Sequence, residues 1–191
     1  MKFCRDINYN DFGITEENGW KVTSDWAKLR KIFKRIEIAI PIMLFISSFI
    51  FVRIFEIKFE IIESLICVVI AVLIFLFVLS PLHELLHLIP VAGLKFDDKC
   101  YIVFGKGTVS AFYSREKTRK QELISLIMPF IVLGLILTLI VVSLSGIYKF
   151  CAVIVLIIHV YGSYRDIYMF FYFIKNFPAN TIFYGNRYKI N

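Results

Sequence analysis

The residues whose types and spacing point to chemistry begin with His83-Glu84-Leu85-Leu86-His87. On a helix, side chains four apart share a face, so both imidazoles can reach one Zn²⁺. Glu84 projects beside them, in position to take a proton from water activated by the metal. A catalytic zinc usually takes three protein ligands. The only other histidine is His159, and among the carboxylates Asp166 alone lies well inside another apolar run. The competing readings are bland ones. His83, Glu84 and His87 could be a helix end reaching interfacial water. Asp166 could pair with Arg165, although adjacent helix residues do not face each other.

These side chains need helices to carry them. Crossing a bilayer takes roughly 20 apolar residues, and four runs qualify: 37–55, 64–90, 122–143 and 149–174. Pro41 interrupts the first run, Pro81 and Pro90 lie in the second, and Pro129 falls near the start of the third. Pro81 predicts a kink just before His83. His83 and His87 lie seven and three residues before Pro90, and Asp166 lies eight residues before Ile174. At about 1.5 Å per residue, the three are within one or two helical turns of a common level if both runs point the same way. His159 is seven residues before Asp166, about 10 Å deeper. It reads either as a buried histidine bonded to a neighbouring helix or as a donor to a substrate carbonyl or oxyanion. Gly162 and Ser163 are small enough to allow close helix approach.

Composition agrees with a membrane setting. Of 191 residues, 59% are apolar and mean hydropathy is +0.74, against about 45–50% apolar in soluble domains. An ordinary soluble enzyme, a disordered regulator and a disulfide-stapled mini-protein are excluded. The net charge of +7 arises from Lys and Arg flanking the apolar runs, which points to the membrane surface rather than nucleic acid. Placing both termini in the cytoplasm puts the basic segments on one side: Lys28 to Arg35, the seven Lys and Arg of loop 91–121, and the tail with Lys175, Arg187 and Lys189. Trp26, Leu29, Ile32, Phe33 and Ile36 recur at helical spacing, as in an interfacial helix. The first 35 residues hold no long apolar stretch of the signal-peptide kind. Cys4, Cys67, Cys100 and Cys151 show no CxxC spacing, and disulfides are not expected in a reducing compartment.

Loop 91–121 carries its own element. Cys100 to Phe104 and Thr108 to Tyr113 are β-prone and flank Gly105-Lys106-Gly107, a hairpin signal. Its edge could receive an unwound substrate segment by β-addition, or it could be a plain connection.

With these residues in view, the chain resembles the site-2 protease class of intramembrane metalloproteases. More closely, it is similar to small bacterial membrane proteins described as putative zincin peptidases, formerly a domain of unknown function. The resemblance covers roughly residues 20–185. It rests on His83 to His87, the hairpin that follows, Pro129-Phe130, Gly162-Ser163 with Asp166-Ile167, and Pro178. It implies that Asp166 is the third metal ligand. Two positions depart from the pattern: His159, where Asn is expected, and Arg165, usually Gly.

The resulting expectation is an all-α membrane protein with four transmembrane helices and a cytoplasmic β-hairpin between helices 2 and 3. Residues 1–35 form an amphipathic cytoplasmic segment, 36–175 the metallopeptidase-like membrane domain with hairpin 99–113, and 176–191 a cytoplasmic tail. The expected activity is that of a zinc metalloprotease in the cell membrane. His83, His87 and Asp166 hold Zn²⁺, Glu84 acts as the base, and His159 contacts substrate or oxyanion. Its partners are the lipid bilayer and a membrane protein or peptide substrate. The alternatives are a non-catalytic metal-binding adaptor or immunity-type protein and a small transporter. The lack of an internal repeat argues against the transporter.

Overall fold

A computed structural model describes residues 1–5, 7, 12, 14–22, 31, 33, 34, 39, 46, 61–94, 96–105 and 108–190. All but residues 39 and 46 of the expected first span at 37–55, most of the interfacial helix and the Lys106-Gly107 turn lie outside the described residues.

Three described helical stretches are long and apolar enough to cross a membrane: Ile66–Ala92, Arg119–Ser143 and Gly146–Asn176. The first comprises most of α1 (Ile61–Ile74), a π-helical turn at Phe75–Leu79, and α2 (Ser80–Ala92). The proline expectation explains this break. Pro81 has no N–H to give the carbonyl four residues back, and the ladder re-registers so that Ser80 N–H bonds Phe75 O, five residues back. The helix runs past Pro90 and stops at Gly93, whose φ of +68° suits a left-handed cap. Gly93 N–H closes the cap on Ile89 O at 2.8 Å. The second stretch is α3 (Arg119–Ser143), which begins with a capping box. Thr118 N–H bonds Gln121 Oε1 at 3.0 Å, and Gln121 N–H returns to Thr118 Oγ1 at 3.3 Å. The third divides at Ser163 into α4 (Gly146–Gly162) and α5 (Tyr164–Asn176), which puts Asp166 in the first turn of α5.

The described residues are mostly helical, as expected, but all-α needs correction: seven strands form two sheets among them, more than the one hairpin anticipated. In one, β1 (Lys2–Cys4) pairs parallel with β3 (Cys100–Gly105), and β3 pairs antiparallel with β4 (Thr108–Tyr113). The expected hairpin is therefore present, with an extra strand from the N-terminus. The other sheet is antiparallel, in the order β2 (Lys21–Val22), β7 (Arg187–Ile190), β6 (Thr181–Tyr184), β5 (Lys117–Thr118). Within the expected tail, β6 and β7 thus form a hairpin. Gly185, at φ +58°, makes its turn.

The chain divides into two units. The first contains Met1–Ala27, Pro81–Pro129 and Asp166–Asn191. Here alternation along the hairpin gives it two apolar faces. Cys100, Ile102, Ala111 and Tyr113 pack on Leu88 and Leu85 of α2. Tyr101, Val103 and Phe112 face the other way, onto Ile14, Trp20, Tyr184 and Ile182. Burying Leu88, 2% exposed, contributes about 2 kcal/mol. Phe173 of α5 stacks on Phe183 at 4.8 Å, and Phe177, just past the helix, meets the same ring edge to face at 5.2 Å, joining that helix to β6.

The second unit contains Lys28–Ser80 and Phe130–Arg165. Here α1 packs along α4, with Ala71 fully buried; small residues let membrane helices approach closely. Gly162 serves the same end. A Cβ at that position would stand 2.9 Å from the Phe75 ring of the π turn.

Candidate metal centre

Helix α2 positions the two imidazoles. One turn separates His83 from His87, and their rings meet nearly edge to face at 4.8 Å, 79° between planes. Their Nε2 atoms are 3.2 Å apart. From the first turn of α5, Asp166 brings Oδ2 to 2.9 Å from His83 Nε2 and 3.7 Å from His87 Nε2. One donor atom from each of the three lies within 4.8 Å of the others.

The second nitrogen of His87 is engaged by the chain itself. Nδ1–H donates to the Ser125 carbonyl of α3 at 2.7 Å. Ser125 Oγ–H donates in return to the His87 carbonyl at 2.5 Å. With its proton on Nδ1, a neutral His87 presents a lone pair on Nε2, toward His83 and Asp166. Metal-ligating histidines are usually oriented by this type of outer hydrogen bond. Two imidazole nitrogens and one carboxylate oxygen are also the donor set of a zinc site that keeps a coordination position for water or substrate. The residues present fit the metal.

Glu84 is held separately. Its Oε2 accepts the Ala111 N–H of β4 at 2.6 Å. This amide is available because β4 is an outer strand of its sheet. Ser114 N–H bonds Lys99 O at 2.9 Å, so alternate residues of this segment turn toward β3, while Ala111, Val109 and Tyr113 present their backbone groups outward.

Sequence reasoning singled out His83, Glu84, His87 and Asp166, and the structure brings His83, His87 and Asp166 into one cluster with Glu84 on the same helix turn. It missed Ser125 and Ala111. A signal for Ser125 existed, a polar residue in an apolar run; the structure buries it, at 6% exposed. Ala111 acts through its backbone, which carries no residue-type signal. His159 belongs to the second unit and is not in the metal-capable group. It is 1% exposed, its ring stacks on Phe130 at 6.4 Å and 19°, and its carbonyl accepts Ser163 Oγ–H at 2.9 Å. In the same unit, the Arg165 guanidinium lies over the Phe33 ring at 5.6 Å, and its Nε–H donates to Tyr164 Oη at 3.1 Å.

Residues 76–182 match the model of the family described as "Putative zincin peptidase", more than half of the chain and including His83, Glu84, His87, Ala111, Ser125, His159 and Asp166. Comparison with curated proteins and with solved structures gave no match.

Proposed function

Given that the chain belongs to the putative zincin peptidase family, we propose that it is a zinc-dependent peptidase embedded in the cell membrane. It hydrolyses a peptide bond of a membrane-associated protein or peptide near the cytoplasmic face. The observation that carries this reading is the convergence of His83 Nε2, His87 Nε2 and an Asp166 carboxylate oxygen within 4.8 Å. These three residues would hold Zn²⁺, which when bound supplies Lewis acidity for activating water and polarising the scissile carbonyl.

The remaining steps belong to the chain. Ser125 fixes the His87 ring, so the Nε2 lone pair is in place before substrate arrives. Glu84 takes a proton from water as its oxygen attacks the carbonyl carbon. It then gives that proton to the departing amine nitrogen as the C–N bond breaks, so the carboxylate is restored each cycle. The Ala111 N–H keeps the Glu84 side chain aimed through its Oε2.

A transmembrane substrate helix hides its peptide bonds, so a segment must unwind to be cut. The outward edge of β4, at Val109 and Tyr113 on either side of Ala111, supports an extended segment being added as a further strand beside Glu84.

Glu84→Gln tests the proposal. The variant should retain its zinc, because Glu84 is not a ligand, and lose cleavage by about 10²–10⁴-fold. Full cleavage in this variant contradicts the mechanism. A cellular phenotype that survives Glu84→Gln would instead mark a metal-binding adaptor.

A further inference from the structure

A cavity of about 330 Å³ opens in the first unit, lined by Arg119, Lys120, Leu123, Ile124 and Ile127 of α3, by Phe170 of α5 and by Ala179. Its residues fall into two chemical zones. Leu123, Ile124 and Ile127 recur at helical spacing along α3 and, with Phe170 of α5, make an apolar wall on two membrane-length helices. Arg119 and Lys120 stand at the α3 N-terminus, where the positive end of the helix dipole adds to their charge.

Arg119 is held in place. Its Nη2–H donates to the Ile174 carbonyl near the end of α5 at 2.9 Å. Its Nε donor, by contrast, is buried with no acceptor among the described residues. Buried polar groups are nearly always hydrogen-bonded, and guanidinium groups suit phosphate oxygens. Nearby acidic charge does not supply the acceptor, because Glu122 is paired with Lys117. The groove therefore offers two cations at one end and room for hydrocarbon along its length.

We propose that this groove is a binding site for an anionic phospholipid. The headgroup phosphate sits on Arg119 and Lys120, and an acyl chain lies along Leu123, Ile127 and Phe170. Charge complementarity selects this occupant over a zwitterionic lipid, since removing a charge near the surface is worth about fivefold in binding. The inference rests on α3 and α5 lying in a bilayer and is independent of the peptidase chemistry.

The test is native mass spectrometry of the full-length chain released from vesicles of equal parts phosphatidylglycerol and phosphatidylcholine. The wild type should retain one phosphatidylglycerol in preference to phosphatidylcholine. Lys120→Gln should lower that retention by about fivefold. Ile127→Trp, which fills the groove without touching its charge, should also lower it. Lys99→Gln combined with Arg115→Gln, which removes two charges from the same loop outside the groove, should leave retention unchanged. Three results each overturn the proposal: equal retention of the two lipids; wild-type retention in both Lys120→Gln and Ile127→Trp; or a loss in the Lys99→Gln/Arg115→Gln chain as large as that in Lys120→Gln.

Discussion

A neutral imidazole has one lone pair to offer a metal, and the hydrogen bond at its other nitrogen decides which atom carries it. In this chain a backbone carbonyl makes that choice for His87: Ser125 O takes Nδ1–H at 2.7 Å. Glu84 depends on backbone in the same way, through the Ala111 N–H at 2.6 Å. Ala111→Pro removes this donor. Since β4 is an outer strand and Ala111 turns away from β3, proline fits the position without breaking the ladder. The expected outcome is a folded protein with its zinc, slowed in cleavage by about tenfold, the worth of a net hydrogen bond of about 1.4 kcal/mol. Circular dichroism, metal content and a cleavage assay check the three parts. Unaltered cleavage would show that the Glu84–Ala111 contact does not position the base. At this scale sequence was informative wherever side chains do the work. His83, Glu84 and His87 announce themselves by spacing, and Asp166 by being a carboxylate alone in an apolar run. Ala111 could not be found in this way, because any non-proline residue offers the same N–H.

Among the elements, prolines and glycines set where helices bend, stop and touch. Pro81 predicted a disturbance before His83, and the structure resolves it as the π turn at Phe75–Leu79. Gly162 lets α4 approach that turn, since a side chain there would meet Phe75 at 2.9 Å. Gly162→Val should therefore cost about 1–3 kcal/mol of stability, and Phe75→Ala in the same chain should recover part of it. Thermal unfolding in detergent reads both, and a neutral Gly162→Val would deny the contact. The hairpin at 100–113 was legible because its strands are adjacent and flank a Gly-rich turn. The tail hairpin shares the Gly-containing turn, Gly185-Asn186, but its strands have only four residues each, too few for alternation to stand out. The parallel pairing of Lys2–Cys4 with Tyr101–Val103 had none, because it joins segments about a hundred residues apart and no local pattern specifies a long-range partner.

For the molecule as a whole, charge is the remaining guide. The Lys and Arg residues of the N-terminal region, loop 91–121 and tail share one side if both termini face the cytoplasm, as the positive-inside rule requires. That arrangement brings both termini and the α2–α3 connection to the same face, with the α3–α4 turn at Leu144-Ser145 on the other. Reporter fusions test it. Tags at residues 1 and 191 should be accessible from the cytoplasm only, and a cysteine at Ser145 should be labelled only from outside. Termini on opposite faces would contradict it. The three membrane-length helices among the described residues follow directly from composition, since apolar runs of that length have no other common use. The second sheet was hidden for a different reason. Its strands are short, two to four residues each, too few for periodicity to register.

The central claim is that His83, His87 and Asp166 hold one metal ion. Elemental analysis of the purified full-length chain tests it most directly. About one zinc per chain is predicted in the wild type and in Glu84→Gln, with a marked loss in Asp166→Ala and in His87→Ala. A wild-type chain free of zinc after purification in its presence, or full occupancy in Asp166→Ala, would contradict the account.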